Sequence, residues 1–235
     1  KIKKEESYQS KIFLLESKAL RAQMNPHFIF NVINSIQSYV FLHSELEANK
    51  YINTFSKLLR MTLEMSSSDT ISLGDEIKYI ESYLALESIR IGDDFKSSIT
   101  IDDNIDKDNF RIPCMLFQPI IENAILHGLM PKAGEKKLSI EMILDGNYLK
   151  GTVTDNGIGR LEASRIKENQ TFTHESMATR IMKERFDISN TINKLKLSME
   201  TIDLIDNKKP IGTKVILSIP ISSIRNNLHV DVITT

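Results

Sequence analysis

The stretch QMNPHFIFN, Gln23 to Asn31, spaces Gln23, His27 and Asn31 four residues apart, so a helix through it carries all three on one face. Pro26 interrupts backbone hydrogen bonding just before His27, which presents the imidazole for nucleophilic or proton-transfer chemistry. A second constellation lies in PCMLFQPIIENAILHGLMP, Pro113 to Pro131. In a helix here Ile120, Ile121, Ala124 and Ile125 form the apolar side, Asn123 and His127 project together, and Glu122 sits beside them. An amide, an imidazole and a carboxylate at a helix end marked by Gly128 suit hydrated Mg2+ and polyphosphate, because Mg2+ takes few protein oxygens and keeps its waters. For that stretch alone, a helix with a few exposed polar residues is an equally good account. In VTDNGIGR a strand ends at Asp155 and is followed by Gly157 and Gly159. The backbone can then approach a flat ligand while a buried carboxylate accepts a hydrogen bond from an exocyclic amine such as that of adenine. Taken alone, the pattern marks only a turn after a strand. Gly212 and Thr213 open the last strand with an unhindered backbone and mean little by themselves.

The elements that must position these residues fall into two textures. Tyr8, Ile12, Leu15, Ala19, Ala22, Pro26, Ile29, Ile33, Ile36 and Val40 follow at steps of four and three, a heptad seam. A second periodic stretch, Leu46 to Met65, follows a turn near His43 and Ser44. An antiparallel hairpin of this kind hides its seam by pairing with another, which predicts a homodimeric four-helix bundle. Ser66 to Asp69, SSSD, is the expected boundary. Beyond it Ser72 and Asp75 have capping-box spacing for a helix running to about Arg90. Alternating stretches at 98–101, 138–144, 148–154, 195–204 and 213–219 predict strands, and 115–129 and 176–194 predict helices. Asp145 to Asn147 and Asn207 to Gly212 supply turns, and the polar stretch Arg165 to Glu175 has the composition of a lid loop. Hairpin strands mixed with helices predict an α+β sandwich, its sheet covered on one face by helices.

Composition narrows the field. Thirty basic against thirty-one acidic residues leave a net charge of -1, which offers no electrostatic case for direct nucleic-acid binding. The single cysteine, Cys114, excludes an intrachain disulfide framework and fits a reducing compartment, the cytosol by default. No apolar run reaches the roughly eighteen residues that a membrane span needs. The chain begins with Lys1 inside a helical pattern, and the expectation is a portion of a longer protein.

QMNPHFIFN, ENAILHG, DNGIG and the final GTKVILSIP stand in the order and spacing of LytS/YehU-like sensor histidine kinases, with their P-H-F-x-F-N box. Leu73, Glu76, Tyr83, Leu84, Glu87 and Arg90 match the segment that joins the histidine box to the ATPase domain in that family, and the resemblance covers roughly residues 18–220. It implies a dimerisation and phosphoacceptor hairpin over residues 1–68 and a catalytic ATP-binding domain over 69–222. That domain would be an α/β sandwich with a mixed, largely antiparallel sheet, and residues 223–235 would form a polar tail. It implies His27 as the phosphoacceptor with Asn31 beside it, and Asn123 as a ligand of Mg2+. His127 and Gly128 would lie by the phosphates of ATP, with Asp155 reading adenine and Gly157 and Gly159 shaping the pocket. Ser176 and Arg185 would belong to the lid, and Gly212 and Thr213 to the closing glycine box. The implied partners are a second copy of the chain and a response regulator, often of LytTR type. The implied location is the cytoplasmic part of an inner-membrane-anchored sensor, with the anchor upstream of Lys1.

Two features depart from wider histidine-kinase patterns. Phe28 stands where many other histidine kinases place an acidic base, and Glu122 is the candidate in its stead; Gln23 and Asn31 can orient the imidazole but cannot take its proton. Where many relatives carry G-x-G-L-x-N, this chain has SMATRI, with Ser176 and Ala178 for the glycines and Ile181 for the asparagine. Two alternatives stay open: a signalling scaffold of the same fold that phosphorylates weakly, and an ATPase clamp in which Glu122 activates water.

Overall fold

The computed structural model describes residues 44–66, 68, 70–168, 196–207 and 209–221. The helix expected to carry His27 and Asn31, the 176–194 helix with Ser176 and Arg185, and the tail 223–235 lie outside the described residues.

Helix α1, Glu45–Ser66, starts where Ser44 and Glu47 cap each other. The Glu47 carboxylate accepts from the Ser44 amide at 3.0 Å, and the Glu47 amide donates back to Ser44 Oγ at 3.4 Å. Tyr51, Phe55, Leu58, Thr62 and Met65 form its buried face. Thr62 is accommodated there because its hydroxyl donates to the Leu58 carbonyl at 2.9 Å, while Leu63, the next apolar residue, is 55% exposed. Strand β1, Thr70–Ser72, leads into helix α2, Leu73–Ile91. The capping pattern read from sequence is present: the Asp75 amide donates to Ser72 Oγ at 3.0 Å, and the Ser72 hydroxyl to Asp75 Oδ2 at 2.7 Å. Gly92 ends α2, with its amide donating to the Ser88 carbonyl. Helices α1 and α2 pack on one another and share a single apolar core with the sheet.

Strand β2, Phe95–Ile101, is followed by β3, Arg111–Pro113, and by helix α3, Gln118–Asn123, which continues as one π-helical turn, Ala124–Leu129. After these come β4, Lys136–Asp145, and β5, Tyr148–Asp155. Helix α4, Gly159–Glu168, then β6, Ser198–Asp206, and β7, Lys209–Pro220, complete the described chain. The five-stranded sheet has the order β2-β4-β5-β7-β6, with only β2 and β4 parallel, and β1 pairs with β3 in a separate two-stranded ribbon. A parallel pair needs a crossover, and α3 lies on the connection between β2 and β4. The result is the expected α+β architecture with a mixed, largely antiparallel sheet.

Three local expectations need correction. The ribbon β1–β3 is absent from the sequence reading, because strands of three residues show no alternation. Arg165 to Glu168, expected in a lid loop, belong to α4, which is rich in helix-forming Arg, Leu, Glu, Ala and Lys and carries an Arg165–Glu162 pair. The stretch 207–212 is not all turn: the chain reverses between Asp206 and Lys209, and Pro210 is placed opposite Ile205 where the register shifts.

Candidate functional site

Alternation along β5 puts Leu149, Gly151, Val153 and Asp155 on the buried side of the sheet. Asp155 is therefore the last inward residue of its strand, and it is 5% exposed. Burial pushes its carboxyl up to about 6; the Gly157 and Thr213 backbone groups and the charge of Lys132 pull the other way. The Gly157 amide donates to Asp155 Oδ1 at 2.8 Å. Desolvation prevails over these interactions, so the carboxylate costs free energy to keep ionised and would be eased by a ligand that donates to it.

Helix α3 meets this carboxylate end-on. Its start is pressed to the sheet at Gly151, where a side chain would collide with the Phe117 ring at 2.2 Å. Its end widens into the π turn, in which Met130 donates to the Ile125 carbonyl at 2.8 Å, and the Gly128 carbonyl beside it accepts from Ile158 at 3.0 Å. A single π turn of this kind is a frequent mark of a functional site. The regular helix expected over 115–129 is thus shorter and wider at its end. Asn123 closes the α-helical part, and His127 and Gly128 lie in the π turn, all three half-buried.

The approach between this turn and the loop after β5 leaves no room for side chains. A Cβ on Gly157 would stand 2.4 Å from the Gly128 carbonyl carbon, and one on Gly128 would stand 2.9 Å from Asp155 Oδ1. From the other side Gly212 comes in with φ 147, and a Cβ there would lie 2.0 Å from the Asp155 carbonyl oxygen. Thr213 is in register with Asp155 across β5 and β7. Gly128, Asp155, Gly157, Gly212 and Thr213 therefore converge on one end of the sheet, with His127 beside Gly128 in the π turn and Asn123 just before that turn. Gly159 opens α4 beside Pro210 at its edge.

Glu122 points elsewhere. Its carboxylate accepts from Gln118 Nε2 at 2.6 Å, one turn back on the same helix, and lies in the field of Glu87 of α2. Burial pushes it up to about 7, with the Gln118 amide lowering it and Glu87 raising it further.

Two residues that the sequence reading passed over hold the loop. Asn156 Oδ1 accepts from the Lys137 amide at 2.7 Å and its Nδ2 donates to the Glu135 carbonyl at 3.2 Å, tying the D-N-G turn to the start of β4. Lys132 Nζ donates to the Asn156 carbonyl at 2.6 Å. Asn before Gly was a turn signal that pointed to Asn156, whereas nothing in the sequence singled out Lys132.

Among the described residues no group of three His, Cys, Asp or Glu side chains could hold a metal ion by itself. The half-buried amide of Asn123 is an oxygen donor of the kind that Mg2+ accepts when other oxygens complete its shell, so the site fits Mg2+ shared with a phosphate better than a protein-only cage. Among the described residues no helix is long and apolar enough to cross a membrane.

A family model described as histidine kinase matches residues 15–95. Sensor histidine kinase YpdA of Escherichia coli (strain K12) is 34% identical over 162 residues, 66% of this chain and 28% of that protein. Sensor protein LytS of Staphylococcus haemolyticus (strain JCSC1435) is 38% identical over 144 residues, 61% of this chain and 24% of that protein. Sensor protein kinase HptS of Staphylococcus aureus (strain bovine RF122 / ET3-1) is 30% identical over 219 residues, 92% of this chain and 40% of that protein. The matches span between 24% and 40% of these curated relatives' lengths.

Proposed function

The chain belongs to the LytS/YehU-like family of sensor histidine kinases, and from that premise we propose that it binds ATP at the Asp155 end of the sheet and phosphorylates its own His27. The observation that carries the ATP site is the buried carboxylate of Asp155, walled by Gly128, Gly157 and Gly212 and faced by the helix end bearing Asn123 and His127. Asp155 accepts from the exocyclic amine of adenine, and the glycines leave room for the flat base. Asn123 offers its amide oxygen to Mg2+, and His127 and Gly128 line the phosphates. Mg2+ bound there supplies neutralisation of phosphate charge.

A nitrogen of the neutral His27 imidazole attacks the γ-phosphorus in line; an N–P bond forms as the bond to the β-phosphate oxygen breaks, and ADP leaves. The proton on the other ring nitrogen goes to a base; Glu122, whose carboxyl burial raises to about 7, has the right affinity, and serves only if its carboxylate swings from Gln118 and the α2 side to within reach of His27. Asn31 orients the imidazole, while Ser176, Arg185 and Thr213 complete the nucleotide pocket. Residues 1–68 form the dimeric phosphoacceptor hairpin and 69–222 the catalytic domain. The phosphoryl group then passes to an aspartate of a response regulator, for which the family resemblance implies the LytTR type. The proposed location is the cytoplasmic part of a membrane-anchored sensor.

The test is incubation of the protein with γ-labelled ATP and Mg2+, comparing the parent with His27→Gln and Asn123→Ala. Acid-labile, base-stable label that both substitutions abolish is the expected result. Label persisting in His27→Gln refutes the acceptor. Nucleotide binding without label favours the scaffold, and release of free phosphate without label favours the clamp.

A further inference from the structure

Helix α3 carries the nucleotide-facing residues at its C-terminal end, yet its N-terminal end has no cap of its own. Phe117 occupies the N-cap position and offers no side-chain acceptor, and Pro119 stands in the first turn. Immediately upstream, Met115 has φ 54, a left-handed conformation that a residue with a branched-off side chain adopts only when the surroundings enforce it. The enforcing group comes from another helix. Glu76 of α2 is 0% exposed, and its two carboxylate oxygens accept separately: Oε2 from the Met115 amide at 3.1 Å and Oε1 from the Phe117 amide at 3.0 Å. Buried charge-assisted bonds of this kind are about twice as strong as neutral ones, and an anion at a helix N-terminus also meets the favourable end of the helix dipole.

We propose that Glu76 is a positioning residue for the nucleotide site, a cap supplied in trans by α2 that sets the start of α3 and thereby the placement of Asn123 and His127. The proposal rests on the nucleotide-binding reading above. Its second consequence is mechanical. Helix α1, which follows directly on the expected phosphoacceptor helix, packs on α2, so Glu76 is a hydrogen-bonded point at which a displacement of the α1–α2 pair reaches the start of the nucleotide helix. Glutamine cannot replace it, since one of its two terminal atoms is a donor and would face a backbone N–H.

The experiment compares the parent, Glu76→Gln and Ile77→Val, the last removing one methyl group from the buried face of the same helix as a baseline for lost stability. Equilibrium binding of Mg·ATP and amide hydrogen exchange are read at a temperature where circular dichroism shows each variant folded. Glu76→Gln is expected to weaken Mg·ATP binding about tenfold and to accelerate exchange selectively over 115–129, while Ile77→Val stays within about twofold of the parent. Parental affinity in Glu76→Gln overturns the proposal. If the parent itself binds no Mg·ATP, the nucleotide reading fails, and exchange over 115–129 decides the capping role alone: selective acceleration upholds it and unchanged protection overturns it. Should Glu76→Gln not fold, Met115→Gly is added to it, because glycine takes the left-handed turn without enforcement. Recovery of a folded protein with weakened nucleotide binding supports the proposal; recovery with parental binding overturns it, as does failure of glycine to restore folding.

Discussion

The α-carbon of Gly128 faces the carboxylate of Asp155 so closely that a methyl group on it would stand 2.9 Å from Oδ1. The same oxygen already accepts from the Gly157 amide. Gly128→Ala therefore has to push the π turn away from the carboxylate or turn the carboxylate out of its pocket. Because the Gly128 carbonyl is also held by Ile158, the displacement passes into the D-N-G-I-G turn. The expected outcome is a folded protein with at least about tenfold weaker nucleotide binding and a loss of about 1–3 kcal/mol in stability, the ordinary cost of overpacking. Calorimetric titration with ATP and a denaturant curve check it; parental affinity would show that the close approach is not part of the ligand site.

Asp155 makes the site pH-sensitive in two opposite ways. Its folded carboxyl titrates near 6, above the value of about 3.9 for a free aspartate, so its share of folding stability is fully present below pH 4 and is lost as pH rises through 6. The loss is on the order of 3 kcal/mol, which Asp155→Asn should abolish in a plot of unfolding free energy against pH. Ligand binding runs the other way, because the ionised carboxylate accepts from an amine more strongly than the neutral carboxyl, one of whose oxygens has become a donor. Adenosine affinity should fall as pH drops from 7 to 5, with a midpoint near 6, and a flat profile would remove Asp155 from adenine recognition.

The place of Asp155 as the buried last residue of a strand is legible in the sequence because strand alternation, a terminal carboxylate and two following glycines all lie within eight residues, VTDNGIGR. The helical setting of Asn123 and His127 is legible too, where helix period and a glycine stop coincide. What escaped depends on contacts between distant segments. Glu76 sits where a helix would bury an apolar residue, and only the Met115–Phe117 turn, some forty residues on, explains it. The bond between Ile158 and Gly128 that holds the π turn to the loop after β5 is a tertiary interaction with no local signature. Helix α4 shows no apolar stripe in the sequence, and its two large apolar residues, Leu161 and Ile166, are exposed, so its polar end has the composition of a loop.

Glu87 and Arg90 form a second dependency on α2. Arg90 Nε donates to Glu87 Oε2 at 2.9 Å and its Nη2 bonds the same oxygen, with only 5% of the Glu87 side chain exposed. Burial still pushes the Glu87 carboxyl upward despite the guanidinium, and Arg90→Ala leaves that buried carboxylate without its cation, with Tyr83 as its remaining hydrogen-bond partner. The expected cost is about 3–5 kcal/mol at neutral pH. Since the carboxyl then titrates still higher, the variant should regain stability on acidification, as protonation removes the buried charge. The double variant Glu87→Gln, Arg90→Met should recover most of the loss. Chemical denaturation at pH 5 and pH 8 measures both; equal losses at the two pH values would mean that packing, not the unpaired charge, is what Arg90 supplies.

Glu122 offers the sharpest kinetic test, because the same burial that raises its carboxyl to about 7 places it where a general base works best. Autophosphorylation should rise with pH through about 7 as Glu122 ionises, and Glu122→Gln should lower the rate by about a hundredfold and remove that limb of the profile. Titration of His27 itself also raises the rate with pH, so Gln118 is the discriminating position. Its amide donates to Glu122 at 2.6 Å and stabilises the ionised form; Gln118→Leu should therefore move the midpoint upward. A midpoint that stays in place when Gln118 is changed, together with parental labelling in Glu122→Gln, would assign the limb to the histidine and the proton of His27 to another acceptor.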